Sequence, residues 1–178
     1  MKSIVLKYGL IAGLFVSATM MTSLYFVDSS ADMSGGEVIG FAGMFIAFSS
    51  IFFAIVKYRK TEGNGMISFG KAFMIGLYIA LITSTLYVVS WMILSETVFT
   101  DFGDTYFDQQ ITQVMESEEL DDAQKEEQIQ SMKDFKEAYK NPIYKFFITY
   151  VEILPIGLII SLIAAAILKR NRVAEGTE

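Results

Sequence analysis

Asn141-Pro142-Ile143-Tyr144-Lys145-Phe146-Phe147-Ile148-Thr149-Tyr150-Val151-Glu152-Ile153-Leu154-Pro155-Ile156-Gly157-Leu158-Ile159-Ile160-Ser161-Leu162-Ile163-Ala164-Ala165-Ala166-Ile167-Leu168-Lys169-Arg170 decides the fold class. From Ile143 to Leu168 the run is almost wholly apolar. At ~1.5 Å per residue a helix of that length crosses a hydrocarbon core of ~30 Å. Glu152 and Pro155 fall near its middle, the two residue types a membrane helix has most reason to exclude.

Working outward, three more runs have the same character. The first covers residues 4–27, with Lys2 and Lys7 at its start and Asp28, Asp32 and Glu37 after it. Ser29-Ser30-Ala31 resembles a cleavage site, but an apolar run of ~20 residues exceeds the ~7–15 of a signal-peptide core, so an uncleaved span is the preferred reading. The second covers 38–56 and ends in Lys57, Tyr58, Arg59 and Lys60. Thr61 to Gly65 reads as a turn, and Ser68 as the N-cap of a third span over 71–95. Lys71 sits at the start of that span, where an ammonium reaches the membrane surface and acts as an interfacial anchor. The fourth span is 143–168.

Residues 96–140 are the one long polar stretch, with thirteen acids against four lysines, a net of 4 − 13 = −9. Tyr106, Phe107, Ile111, Val114 and Met115 have the spacing of one amphipathic helix, and Ile129, Met132, Phe135 and Tyr139 that of a second. Asp121 with Gln124 three residues on has the form of a capping box. The acids lack the spacing of a calcium loop and read as a solvated face.

The placement of basic residues orients the spans. Lys2, Lys7, Lys57, Arg59, Lys60, Lys71, Lys169, Arg170 and Arg172 all fall at one end, the cytoplasmic one by the positive-inside rule. The first connection and the 96–140 segment go outside. The predicted fold is an all-α, integral membrane four-helix bundle with both termini cytoplasmic and an acidic helical extracytoplasmic insertion between spans 3 and 4. Small residues every four positions (Ala72, Gly76, Ala80 and Ser84; Gly157, Ser161 and Ala165; Gly9, Gly13 and Ser17) mark seams where helix backbones approach closely.

The 178-residue chain has neither Cys nor His, which removes thiol and imidazole nucleophiles, bases and metal ligands together. There is no phosphate loop and no pair of intramembrane aspartates, so the reading is non-enzymatic, with no cofactor, no metal and no catalytic residue. Lys169-Arg170-Asn171-Arg172 is a topology anchor, not a nucleic-acid site. Glu152 carries two open readings. It is a proton- or cation-handling carboxyl, or a hydrogen-bonded knot around Pro155 with Ser17, Thr83, Ser84 and Thr85 as polar groups at similar depth.

Ile4 to Leu10, Phe53 to Arg59, Ser68-Phe69-Gly70-Lys71-Ala72-Phe73, Lys140-Asn141-Pro142 and Glu152 to Leu158 resemble the domain of unknown function 4199 family. That resemblance implies a small four-span inner-membrane protein, found mainly in Bacteroidota, with its outer segment in the periplasm; it implies no activity. The expected function is a membrane interaction or assembly module whose partners are the lipid bilayer and either a second copy or another membrane protein. The alternative is a small oligomeric proton- or cation-coupled transporter or channel subunit using Glu152.

Overall fold

The computed structural model describes residues 1–30 and 33–170. Ala31 and Asp32 of the acidic first connection, and Arg172 and the rest of the C-terminal tail, lie outside the described residues. Six helices follow in order: α1 (Lys2–Ser30), α2 (Met33–Thr61), α3 (Phe69–Thr97), α4 (Phe102–Glu116), α5 (Asp122–Tyr139) and α6 (Pro142–Leu168). Among the described residues there is no strand, only one antiparallel bridge between Ile67 and Arg170. Four helices are long and apolar enough to cross a membrane, over Lys2–Tyr25, Val38–Thr61, Phe69–Thr97 and Pro142–Leu168. Helix is the open-chain form in which such a segment meets all its own backbone hydrogen bonds without water.

Helix ends run past the apolar runs because local capping sets them. The hydroxyl of Thr61 donates to the carbonyl of Lys57 at 2.9 Å, and Gly65 N–H donates to Arg59 at 2.9 Å. The turn itself needs two positive φ values, 49° at Asn64 and 82° at Gly65, positions that Asn and Gly occupy at low steric cost. Ser68 Oγ then accepts from the backbone N–H of Lys71 at 3.3 Å and opens α3, the expected N-cap. α5 carries the expected capping box: Gln124 N–H donates to Asp121 Oδ1 at 2.8 Å and Asp121 N–H to Gln124 Oε1 at 3.1 Å. At α6, Asn141 Oδ1 accepts from Ile143 N–H at 2.9 Å, with Pro142 at the first helical position where its missing donor is not needed.

The chain divides into two compact units, residues 1–87 with 150–178 and residues 88–149. In the first, the small-residue seams are where helices meet. Ala72, Ala80 and Ser84 on α3 and Ser161 and Ala165 on α6 are fully buried. A Cβ built on Gly76 would stand 2.6 Å from Ser161 Oγ, and one on Gly9 3.0 Å from Ile82. Phe48, Ile51, Ile55, Ile75, Ile79 and Ile153 fill the spaces between.

In the second unit α4 and α5 form an antiparallel hairpin. Lys125 Nζ donates to the carbonyl of Met115 near the turn, and Lys136 Nζ reaches Asp108 and Asp104 at the other end. Its core is aromatic: Phe107 lies against Tyr106, Phe135 and Tyr139 with ring centroids 5.5–5.8 Å apart. Trp91 meets Phe102 edge-on at 5.6 Å and donates its indole N–H to Tyr139 Oη at 2.7 Å. Lys145 is buried, with Nζ 2.7 Å from Glu96 Oε1 and 5.6 Å from the centroid of the Tyr139 ring. Lys145 and Glu96 are 49 positions apart in the chain.

Candidate functional site

α6 presents two faces. Ile153, Gly157, Ser161, Ala164 and Ala165 are buried, at the three- and four-residue spacings that share one side of a helix. Glu152, Pro155, Ile159, Leu162, Ile163 and Ala166 recur at the same spacings on the other side and are exposed. α6 continues through Pro155, which loses the N–H that would have served the Val151 carbonyl. Pro155 is the central residue of α6, so Glu152 lies about 4.5 Å from its midpoint. Glu152 has an interaction within the chain, but the residue is on the outward flank and not in the packed interior.

Of the hydroxyls expected at its depth, Thr83 and Thr85 have their own hydrogen-bond partners. Thr83 is buried and donates to the carbonyl of Gly9 on α1 at 3.3 Å. Thr85 is exposed and donates to Leu81 at 2.8 Å, with Tyr150 Oη 2.7 Å from its Oγ1. Tyr150 Oη is also within 3.3 Å of the Leu81 carbonyl, so α3 and α6 share a Thr85–Tyr150–Leu81 cluster that residue spacing did not suggest. Ser17 is half-buried on α1 and engaged within the chain. Ser84 is fully buried and its Oγ has no hydrogen-bond partner among the described residues.

An orphaned hydroxyl in a packed seam is destabilising, because its desolvation is not repaid. Ser84→Ala is therefore expected to stabilise the protein by about 1 kcal/mol. A melting curve in detergent reads this as an upward shift in Tm. A downward shift of the same size would mean that Ser84 has a partner in the folded protein.

Lys71 is exposed at the start of α3, with its ammonium 5.8 Å from the centroid of the Tyr58 ring. It lines a cleft with Tyr58, Gly63, Met66, Ile67, Ser68 and Arg170. The sequence placed Lys71 at the interface but gave no sign that Arg170 would join it, since 99 positions separate them. Among the described residues no three acidic side chains converge as a metal site.

Four long apolar helices, sealed against one another by small residues, define a multi-pass membrane protein of the all-α class. The chain belongs to the DUF4199 family, described as a protein of unknown function, which it matches over residues 7–170. No curated protein and no solved structure matches it.

Proposed function

We propose that this is a non-enzymatic module of the bacterial inner membrane that binds another membrane-spanning helix along the outward face of α6. The observation that carries the reading is the exposure of Glu152 close to the middle of an apolar span. A carboxyl group takes more than one hydrogen bond, so Glu152 can keep its interaction within the chain and make a further one to a partner helix at that depth, where polar side chains gain most from being met. The apolar residues around it, Val151 and Ile159 at 64% and 57% exposed, supply the packing surface.

The reading includes an orientation. Lys57, Arg59, Lys60, Lys71, Lys169 and Arg170 would face the cytoplasm, and the α4–α5 hairpin, in the segment with net charge −9, the periplasm. The absence of Cys makes this testable on a clean background. A cysteine at the exposed Glu118 is expected to react with an impermeant maleimide in intact cells, and one at the exposed Asn64 only after permeabilisation. Outside labelling at position 64 would overturn the orientation.

The partner is tested by photocrosslinking in native membranes. A benzophenone side chain at Ile159 is expected to give a covalent adduct in at least fivefold higher yield than one at Leu14, which is 67% exposed on α1. Glu152→Leu is expected to abolish that adduct while the purified protein stays folded, with a stability change of about 0.5–1.5 kcal/mol for the interaction lost within the chain. Equal yields from both positions would overturn the reading. A Glu152→Gln variant that keeps the adduct but loses complementation of a deletion strain would assign the carboxyl to proton transfer instead.

A further inference from the structure

We propose that the cleft formed by Tyr58, Gly63, Met66, Ser68, Lys71 and Arg170 is a binding site for the phosphodiester headgroup of an anionic phospholipid. The cleft has a volume of about 410 Å³, within the range of small-molecule sites. Each cation at its rim is held by a separate device. Arg170 is fixed through its backbone: Ile67 N–H donates to its carbonyl at 3.1 Å and Arg170 N–H donates back at 2.8 Å. Arg59 adds a guanidinium bond to the Leu168 carbonyl at 3.2 Å and ties the end of α6 to α2. Lys71 is held beside the Tyr58 ring, which lies on the opposite helix of the turn. A two-point clasp between the 62–68 turn and the end of α6 thus brings two positive side chains to one opening.

Among the described residues their charge is not spent. Lys136, Lys140 and Lys145 each pair with a carboxylate. The one acid between Lys57 and Lys71, Glu62, is paired with the Met1 ammonium. Among the described residues Lys71 and Arg170 have no ion pair. The positive end of the α3 dipole and the nearby Lys57, Lys60 and Lys169 raise the potential of the same region. Basic pockets between spans at one face of the bilayer are matched to anionic headgroups.

The surroundings favour a lipid over a soluble phosphate. The cleft opens at the first residues of a membrane span. Phe69, stacked on Phe73 at 6.3 Å, is 41% exposed, and Ile167 at the end of α6 is 66% exposed. An acyl chain descending from a phosphate on Lys71 and Arg170 would lie on such side chains, which a free anion does not use.

Native mass spectrometry of the full chain in a nonionic detergent, titrated with phosphatidylglycerol or phosphatidylcholine, tests the site. Phosphatidylglycerol is expected to be retained at least fivefold better. Lys71→Gln and Arg170→Gln should each lower its retention about fivefold, the equivalent of ~1 kcal/mol per basic residue near the surface. Lys60→Gln removes an exposed cation that contributes to the potential but does not line the cleft, and should lower retention less than twofold. Melting curves without lipid should superpose for all three variants, since the Arg170 clasp is made by the backbone. Displacement of phosphatidylglycerol by millimolar inorganic phosphate would overturn the lipid assignment in favour of a soluble phosphate ligand. Equal retention of phosphatidylcholine, or full retention in the Lys71→Gln/Arg170→Gln double variant, would overturn the site.

Discussion

Gly157→Leu is expected to prevent α6 from docking on α2 and α3, so that the protein no longer survives extraction as a monodisperse species. A Cβ at position 157 would stand 2.8 Å from the Ala80 Cβ and 2.8 Å from the Phe48 ring. Neither neighbour can move aside. The Ala80 Cβ is fixed to its backbone, and Phe48, Ala80 and Ile153 are all fully buried. Gly157→Ala already needs a helix displacement, with an overpacking cost of ~1–3 kcal/mol. The better helix propensity of Ala returns up to ~1 kcal/mol of that. The longer Leu side chain has no such compensation. Gly40→Leu is the control, since a Cβ there meets nothing within 4 Å. Size-exclusion profiles and melting curves in detergent read the difference. If Gly157→Leu melted with the wild type, the seam between α6 and α3 would not be where the membrane helices are held.

Such seams were legible in the sequence because they are periodic. Ala72, Gly76, Ala80 and Ser84 lie four apart, which on a helix is one face, and that face is the buried one. The caps at Ser68 and Asp121 were legible for the same reason, since a cap is a relation between residues three apart. Chain-distant contacts were not legible. Lys145 and Glu96 are 49 positions apart, Trp91 and Tyr139 are 48 apart, and Tyr150 reaches Leu81 over 69. No local pattern encodes such pairs. Glu152 shows the limit in its sharpest form. Its depth followed from counting residues along α6, but its facing depends on which side of α6 the other helices occupy. The neighbouring small residues settle that side: Gly157 and Ser161 turn inward, five and nine positions on, which carries Glu152 and Pro155 outward.

Phe107→Ala is expected to unfold the α4–α5 hairpin while leaving residues 1–87 folded. Phe107 is 7% exposed and touches three rings, Tyr106, Phe135 and Tyr139, so it is a buried member of the cluster that joins α4 to α5. Truncating a buried Phe costs ~3–5 kcal/mol through lost burial and the cavity left behind. The hairpin has few other buried side chains: α5 has none, and α4 has only Phe107 and Val114. The ion pairs of Lys136 with Asp108 and Asp104 are solvent-facing and screened, so they cannot replace the lost core. Their contribution has a definite pH signature. The hydrogen bond to Asp108 raises the Lys136 pKa above its ordinary value of 10.5, with Asp104 adding to it against a lowering by desolvation. A raised lysine pKa stabilises the fold fully below 10.5 and ceases to do so as pH climbs through the folded value, so the lysine side of this clasp is intact at neutral pH and is lost in strong alkali. Hydrogen exchange at neutral pH therefore isolates the aromatic contribution. In Phe107→Ala the amides of α4 and α5 should exchange as an open chain, while those around Phe48 and Ile79 keep their protection. Unchanged protection in residues 102–139 would show that the hairpin is held by something other than its rings.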